Sequence, residues 1–176
     1  MAGLRGVLLV AEPGGVMLLE LTEYESPVGP LLGAVSEGSL VLLEFRTQLP
    51  VRMAGAETRA GDPLRMRARL DAYFREKQFD AFDGLPLAPE GPEFHQKVWT
   101  LLRRIRPGHT RAYGDLAKEL GDPLASRAVG RANGANPIAI VVPCHRVIGK
   151  DGSLTGYAGG LHRKHWLLVH EGALLI

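Results

Sequence analysis

Cysteine is nearly absent from this sequence, because Cys144 is the only one in 176 residues. A single thiol can form no internal disulfide and no zinc site built on several cysteines. A lone free thiol fits a reducing compartment. Apolar runs long enough to span a bilayer are also missing, and the first residues lack the long apolar core of a signal peptide. We therefore expect a cytoplasmic protein without a membrane segment.

A strong excess of charge of one sign is missing too, since the formal net charge is only +2 and the pI is near 8.9. These values permit a nucleic-acid partner without demanding one, so the distribution of basic residues matters more than their total. The length allows one domain or two small ones. Residues 83–92 contain three prolines and two glycines, which is typical of a linker. We predict an N-terminal α/β domain over residues 1–90 and a C-terminal domain over residues 91–176.

The first half carries the pattern of strands followed by a helix. Apolar segments at 17–24, 31–35 and 40–45 are separated by turn residues and predict three strands, whereas residues 46–60 are poorly patterned. Asp62 and Pro63 predict a helix start, because aspartate can cap a helix and proline favours its first turn. Residues 1–15 match no pattern and are either an added strand and turn or the product of a start codon assigned too early. Apolar residues follow the predicted helix start at helical spacing: Met66, Leu70, Tyr73 and Phe74.

The second half predicts three helices between residues 94 and 133. The first has an apolar face from Phe94 to Ile105. Arginines near its end either complement the helix dipole or contact phosphate; they are Arg103, Arg104 and Arg106. Two short helices over 110–120 and 124–133 follow, joined by a glycine-containing turn, which is typical of a helix-turn-helix. The second of these has mostly small side chains, which suit either close packing within the protein or close approach to a surface.

The single cysteine stands at the end of an apolar run. Residues 138–142 predict a buried strand or another segment of the core, and Pro143, Cys144, His145 and Arg146 come directly after it. A free cysteine is often only a small buried hydrophobe. A thiol is nucleophilic as thiolate, however, and cationic neighbours such as His145 and Arg146 favour that form.

The segment from Pro143 to Val147, with Asn136 and Pro137 upstream, resembles the active-site signature of the O6-alkylguanine-DNA alkyltransferases. The resemblance is close over residues 94–172 and looser in the first half, where residues 26–32 resemble the start of the family's N-terminal sheet. It implies an α/β (α+β) fold: an N-terminal antiparallel sheet with a helix, ribonuclease H-like, and a mostly helical C-terminal domain with a winged-helix-like helix-turn-helix. It also implies transfer of an alkyl group from guanine in DNA to the protein's own cysteine.

The resemblance assigns roles to individual residues. Cys144 is the nucleophile, His145 the general base acting through a water, and Glu171 the group that orients the imidazole. Tyr113 donates a proton to the leaving base, and Asn136 joins the recognition helix to the active-site segment. Residues 126–130 resemble a recognition helix that lies in the minor groove, and the arginine at the place of Arg127 fills the space of the flipped nucleotide. The implied DNA contacts are Ser126, Arg127, Ala128, Arg131 and Tyr113.

The glycine-rich loop at 155–161 suggests a close backbone approach to something planar, and it has no Walker or dinucleotide spacing. By resemblance it forms one wall of the guanine pocket, together with segments near Val147 and Ala139. A known relative has proline where this chain has Ala139, which suggests a roomier pocket. The implied pocket residues are Ala139, Val147, Tyr157, Ala158 and Gly159.

The resemblance further implies a monomer that acts on double-stranded DNA carrying O6-alkylguanine, and by extension O4-alkylthymine, without a cofactor. Some relatives carry zinc on cysteines of the N-terminal domain; no cysteine is present there, so we predict no metal. One alternative is a non-enzymatic lesion-binding protein of the alkyltransferase-like type, in which the cysteine is commonly replaced by tryptophan. A helix-turn-helix transcription factor and an unrelated cysteine hydrolase are further alternatives. The first would need a zinc-binding partner domain and the second an oxyanion hole, and neither is found in the sequence.

Overall fold

A computed structural model describes residues 17–175, so residues 1–15, for which no pattern was found, lie outside the described residues. Strands β1 (Leu18–Ser26), β2 (Gly29–Ser36) and β3 (Ser39–Glu44) form the predicted antiparallel meander. A fourth strand, β4 (Glu57–Ala60), pairs parallel with β1 and completes a sheet of order β3-β2-β1-β4. The poorly patterned stretch therefore holds a strand that was missed. All four of its residues are exposed, so it shows no hydrophobic alternation.

Helix α1 (Met66–Phe74) packs its predicted apolar residues into the core. The predicted start at residues 62–63 is wrong by one turn, because a short 3-10 turn, Pro63–Arg65, comes first. Leu64 and Arg65 both have positive φ, 59° and 53°, which breaks the helix before Met66. Asp62 still acts as a cap, since its Oδ1 accepts a hydrogen bond from the backbone N of Arg67 at 2.9 Å.

The second half is mostly helical, as predicted. Its helices are α2 (Glu93–Leu102), α3 (Tyr113–Glu119), α4 (Ser126–Gly134) and α5 (Leu161–His170). Helices α3 and α4 pack against each other and form the predicted helix-turn-helix. Two short strands, β5 (Arg111–Ala112) and β6 (Val147–Ile148), pair in parallel and connect this unit to the segment after Cys144.

The apolar run at 138–142 is not a strand, so of the two predicted forms the structure has the buried core segment. Ile138 makes one isolated bridge with Leu43, and the chain then turns back on itself. Ile140 has a φ of +71°, and the backbone N of Val142 bonds to Ile138 O at 2.9 Å. Because the turn satisfies its own backbone groups, burial of this run needs no full strand partner.

The proline-rich segment at 83–92 is fastened to the first sheet. Leu40 N donates to Pro86 O at 2.9 Å, and Ala88 N donates to Leu40 O at 3.0 Å. One cluster of buried side chains also runs across both halves of the chain, from Tyr24 and Leu31 to Val147 and Leu167. Within residues 17–175, no helix is long and apolar enough to cross a membrane.

Candidate active site and nucleic-acid interface

Cys144 begins a single 3-10 turn, Cys144–Arg146, and is only 5% exposed. The side chain of Asn136 lies against the thiol, with Nδ2 3.1 Å from Sγ. The backbone carbonyl of Cys144 accepts a hydrogen bond from Asn133 Nδ2 at 3.2 Å. The cysteine is therefore held at its sulfur by the segment after α4 and at its backbone by α4 itself.

Asn136 organises the whole approach to Cys144. Its Nδ2 lies 2.7 Å from Val142 O and 3.4 Å from Ile138 O, and its Oδ1 accepts from Ile138 N at 3.0 Å. One amide thus satisfies both ends of the buried turn. Asn136 thus lies between α4 and the segment that carries Cys144, and its role of joining the recognition helix to that segment stays a prediction.

Glu171 directly follows α5 and is the centre of a buried network. His145 Nε2 lies 2.9 Å from Oε1, and the guanidinium of Arg146 donates to both oxygens, Nε to Oε2 at 2.7 Å and Nη2 to Oε1 at 2.8 Å. Tyr73 donates its hydroxyl proton to Oε1 at 2.7 Å. The sequence predicted Arg146 only as a cationic neighbour of the thiol and Tyr73 only as a core residue, so the contacts of both with Glu171 were missed.

The electrostatics of this network set the protonation of His145. Burial alone would raise the pKa of Glu171, but His145 and the bidentate Arg146 together hold that pKa well below its usual range. Burial lowers the pKa of His145, and Glu171 offsets only part of this shift. A neutral imidazole facing a carboxylate must place its proton on Nε2, which leaves a lone pair on Nδ1. Nδ1 is buried and has no hydrogen-bond partner within residues 17–175, so it is the basic nitrogen.

The thiol of Cys144 is protonated at rest. Burial raises its pKa, while the hydrogen bond from Asn136 and the charge of Lys164 act in the opposite direction. A nucleophile of this kind needs a general base to become a thiolate. The next residue of the chain, His145, has a free lone pair on Nδ1, as such a base requires.

Lys164 is a second charged residue of the site that was missed from the sequence. It is 0% exposed, its Nζ donates to Thr155 O at 2.7 Å, and it lies 5.9 Å from the ring centroid of Tyr113. Burial lowers its pKa to about 8. The spacing of the helix could have predicted this burial. Lys164 stands three and four positions before the buried Leu167 and Leu168 and so lies on the same face of α5.

An open cleft of about 610 Å³ lies between α4 and the glycine-rich loop. It brings together six of the predicted DNA-contact and pocket residues: Tyr113, Ser126, Arg127, Arg131, Tyr157 and Ala158. Arg127 and Arg131 are exposed and form no ion pair within residues 17–175. The surface of α4 has short side chains here. Gly130 faces the ring of Tyr113, and a Cβ at this position would lie 3.8 Å from that ring.

The other predicted pocket residues lie around this cleft or behind it. A Cβ on Gly159 would lie 2.7 Å from the ring of Tyr157, so the planar groups that this glycine approaches include aromatic rings of the protein itself. Val147 is buried in β6, and Ala139 is buried in the turn before Cys144, with its N bonded to Leu43 O at 2.7 Å. Neither lines the open cleft. Ala128 is half-buried on α4.

The arginines after α2 lie elsewhere. Arg104 Nη1 is 3.7 Å from Glu119 Oε1. Arg103 and Arg106 border a separate cavity of about 510 Å³ between α1 and the Cys144 segment, which shares no lining residue with the open cleft. Of the two interpretations left open by the sequence, phosphate contact finds no support in this placement.

Comparison with known proteins agrees with this site. A family model described as the DNA-binding domain of 6-O-methylguanine DNA methyltransferase matches residues 93–173. A methylated-DNA–protein-cysteine methyltransferase of Methanosarcina acetivorans is 47% identical over 152 residues, covering 85% of this chain and 96% of that protein. One of Shigella flexneri is 53% identical over 117 residues, covering 66% of this chain and 68% of that protein.

Solved structures give the same result. The crystal structure of Mycobacterium tuberculosis OGT in complex with DNA matches with a TM-score of 0.76 and 40% identity, covering 88% of this chain and 92% of that one. The M. tuberculosis O6-methylguanine methyltransferase matches with a TM-score of 0.74 and 41% identity over 88% of this chain and 93% of that one. The chain belongs to the methylated-DNA–protein-cysteine methyltransferase family.

Proposed function

We propose that this protein repairs alkylated DNA by moving the alkyl group from O6 of guanine onto the sulfur of Cys144. The observation that carries the proposal is the buried Cys144–His145–Glu171 arrangement beside an open cleft, which is lined by two arginines that form no ion pair in the described part of the chain. The sulfur and the basic Nδ1 come from adjacent residues, and the third group fixes the tautomer. Catalytic triads combine the same three parts: a nucleophile, a base and an orienting carboxylate.

The proposed step balances as follows. The thiol proton of Cys144 passes through a water to Nδ1 of His145, and the thiolate attacks the alkyl carbon in line with the bond to O6. A carbon–sulfur bond forms, the carbon–oxygen bond breaks, and its electron pair stays on the guanine. Tyr113 donates a proton to the base ring, so the guanine leaves neutral. Burial raises the pKa of Tyr113, which keeps its proton in place until the base needs it.

The product thioether has no route back to a thiol, so each protein molecule reacts once. The alkyl group comes from the substrate itself, so the reaction needs no separate methyl donor. O4-alkylthymine presents a comparable alkyl–oxygen bond and is the second substrate of this proposal. The reaction needs Cys144 as a free thiol, which fits a reducing cytoplasm.

The proposed DNA complex places α4 in the minor groove. Moving a base out of the stack has a cost of a few kcal/mol, and a side chain that enters the vacated space offsets part of it. Arg127 is the exposed, long side chain at the N-terminal end of α4, and Arg131 lies one turn further on. Between and beside them Ser126, Ala128 and Gly130 are short enough to let the helix seat deeply. We propose that a monomer binds in this way.

Intact-protein mass spectrometry tests the proposal directly. The protein is incubated with excess duplex containing O6-methylguanine, beside Cys144→Ala and beside unmethylated duplex. We expect the wild type alone to gain the mass of one methylene group, mapped to the Cys144 peptide and with a limit of one per molecule. Tight binding without a mass change would instead indicate a lesion-binding protein, and neither binding nor mass change would reject the proposed function.

A further inference from the structure

The first half of the chain contributes a polar group to the reactive network. Tyr73 lies at the C-terminal end of α1, 98 positions before Glu171, and donates its hydroxyl proton to Glu171 Oε1 at 2.7 Å. It is 1% exposed. This is the one hydrogen bond to Glu171 within residues 17–175 that comes from the N-terminal half.

The position of this hydroxyl is set by packing. The backbone carbonyl of Tyr73 lies 2.9 Å from Nε2 of His170, the last residue of α5, directly before Glu171. Tyr73 is therefore tied to the end of α5 through both its backbone and its side chain. Its ring is also surrounded by aromatic neighbours whose centroids lie 5.0–5.7 Å away: Phe74, Phe79, Phe82 and His170. A ring held in this way presents its hydroxyl in a fixed direction.

The hydroxyl shares its acceptor with the imidazole. Glu171 Oε1 receives hydrogen bonds from Tyr73, His145 and Arg146. The Tyr73 hydroxyl stabilises the carboxylate without adding a charge, so it limits how strongly Glu171 attracts the proton of an imidazolium. It also restrains the oxygen on which the orientation of His145 depends.

We infer that Tyr73 is a positioning residue for alkyl transfer, acting through Glu171 on the orientation and basicity of His145. The inference rests on the proposed function. It makes the N-terminal half a contributor to the chemistry, in addition to any role in folding. Several other charged or titratable groups among the described residues lie against Tyr73, Glu171 and His145: Arg146 and Cys144 from the Cys144 turn, Lys164 and His170 from α5, and Tyr157 from the glycine-rich loop.

Tyr73→Phe tests the inference because it removes the hydroxyl and keeps the ring. Tyr24→Phe is a matched control. Tyr24 is also a buried tyrosine beside α1, and its hydroxyl donates to Asp71 Oδ1 at 2.9 Å, outside the reactive network. Both variants lose one tyrosine hydrogen bond to a carboxylate, which is buried for Tyr73 and partly buried for Tyr24.

The measurements are the single-turnover rate of methyl transfer across pH, the affinity for methylated duplex, and the pKa of His145 by NMR titration without DNA. For Tyr73→Phe we expect a methyl-transfer rate about tenfold lower, because the variant loses only part of the rate enhancement that a general base supplies. We expect its affinity for methylated duplex to be unchanged. We also expect a higher pKa for His145, because Glu171 loses a competing donor, and the acid limb of the rate profile moves to higher pH. Tyr24→Phe is expected to match the wild type in all three.

The outcomes separate the two proposals. A wild type that transfers the methyl group, with Tyr73→Phe equal to it in rate, pH profile and His145 pKa, would overturn the role of Tyr73 alone. Failure of the wild type to gain mass would reject the proposed function. If Tyr73→Phe folds incompletely, the titration still decides, because it reads the imidazole of folded molecules only: an unchanged His145 pKa overturns the inference.

Discussion

Replacing Glu171 by glutamine is the sharpest test of the buried network. The substitution keeps the shape of the side chain and removes its charge. In the wild type, both carboxylate oxygens accept hydrogen bonds from Arg146, and Oε1 also accepts from His145 and Tyr73. The variant leaves Arg146, which is 6% exposed, as a buried cation without its partner.

The expected loss of stability follows from this burial. Removing one partner of a buried ion pair typically costs about 3–5 kcal/mol, because the other charge is left uncompensated. For a chain of this length, each kcal/mol corresponds to a fall in melting temperature of roughly 2–4 °C. We therefore predict that Glu171→Gln melts roughly 6–20 °C below the wild type.

The expected loss of activity is larger than stability alone explains. The glutamine amide can donate a proton to Nε2 of His145, which stabilises the tautomer with its proton on Nδ1. That tautomer cannot accept the proton of Cys144. A carboxylate-to-amide change that fixes the wrong tautomer lowers the rate of a histidine base by up to about 10⁴-fold, so we predict a loss on the order of 10²–10⁴-fold.

The assay is single-turnover methyl transfer followed by intact mass, at a temperature where circular dichroism shows the variant folded. Glu93→Gln is the control, because Glu93 is an exposed carboxylate paired with Lys97 on the surface of α2. We expect that control to behave as the wild type in both rate and melting. A Glu171→Gln variant that transferred at the wild-type rate, or melted with the control, would refute the assigned role of the carboxylate.

Three further substitutions test other parts of the site. Asn136→Ala leaves the buried Ile138 N without an acceptor, whereas Val142 O keeps its hydrogen bond from Cys144 N. We therefore expect a loss of about 1–3 kcal/mol in urea unfolding and a higher pKa for the Cys144 thiol by thiol titration. An unchanged thiol pKa would contradict the second expectation. Lys164→Met removes a cation whose pKa is lowered from 10.5 to about 8. The folded protein binds this proton less tightly than the unfolded chain. The free energy of unfolding of the wild type should therefore rise relative to that of the variant between about pH 8 and pH 10.5, by roughly 3 kcal/mol at most. The same dependence of unfolding free energy on pH in both proteins would refute this. Arg127→Ala is expected to slow transfer from duplex DNA while sparing transfer from free O6-methylguanine, and equal losses on both substrates would reject its insertion into the stack.

The sequence indicated the local part of the site, and the family resemblance added Glu171, but the contact from the first half of the chain was not predictable. Cys144, His145 and Arg146 lie in one short segment whose residue types indicate a thiol beside cationic neighbours, whereas the roles of base and orienting carboxylate came from the resemblance. The helix-turn-helix was visible because its two helices are short, consecutive and joined by a glycine. Tyr73 stood in an apolar helical pattern and was predicted as core, which is correct for its ring. Its hydroxyl meets Glu171 only because the tertiary fold packs the ends of α1 and α5 together.

The errors in secondary structure have physical causes of the same kind. Strand β4 has four exposed residues and depends on pairing with β1, so no local pattern reveals it. The run at 138–142 has the composition of a strand, but the side chain of Asn136 provides hydrogen bonds that hold it as a turn. A single amide outside the run therefore outweighs the strand propensity of five apolar residues.

The resting state of Cys144 suits a protein that reacts once. Burial raises the pKa of the thiol, and only 5% of the residue is exposed, so little thiolate is available to oxidants or stray alkylating agents. The proposed base is equally buried, since His145 is 0% exposed and its tautomer is fixed by Glu171. Reactivity then depends on a substrate that fills the cleft and offers an electrophilic carbon beside the sulfur. Because a protein molecule whose thiol has been modified can no longer react, low reactivity of the thiol toward other electrophiles and oxidants preserves each molecule for its one reaction.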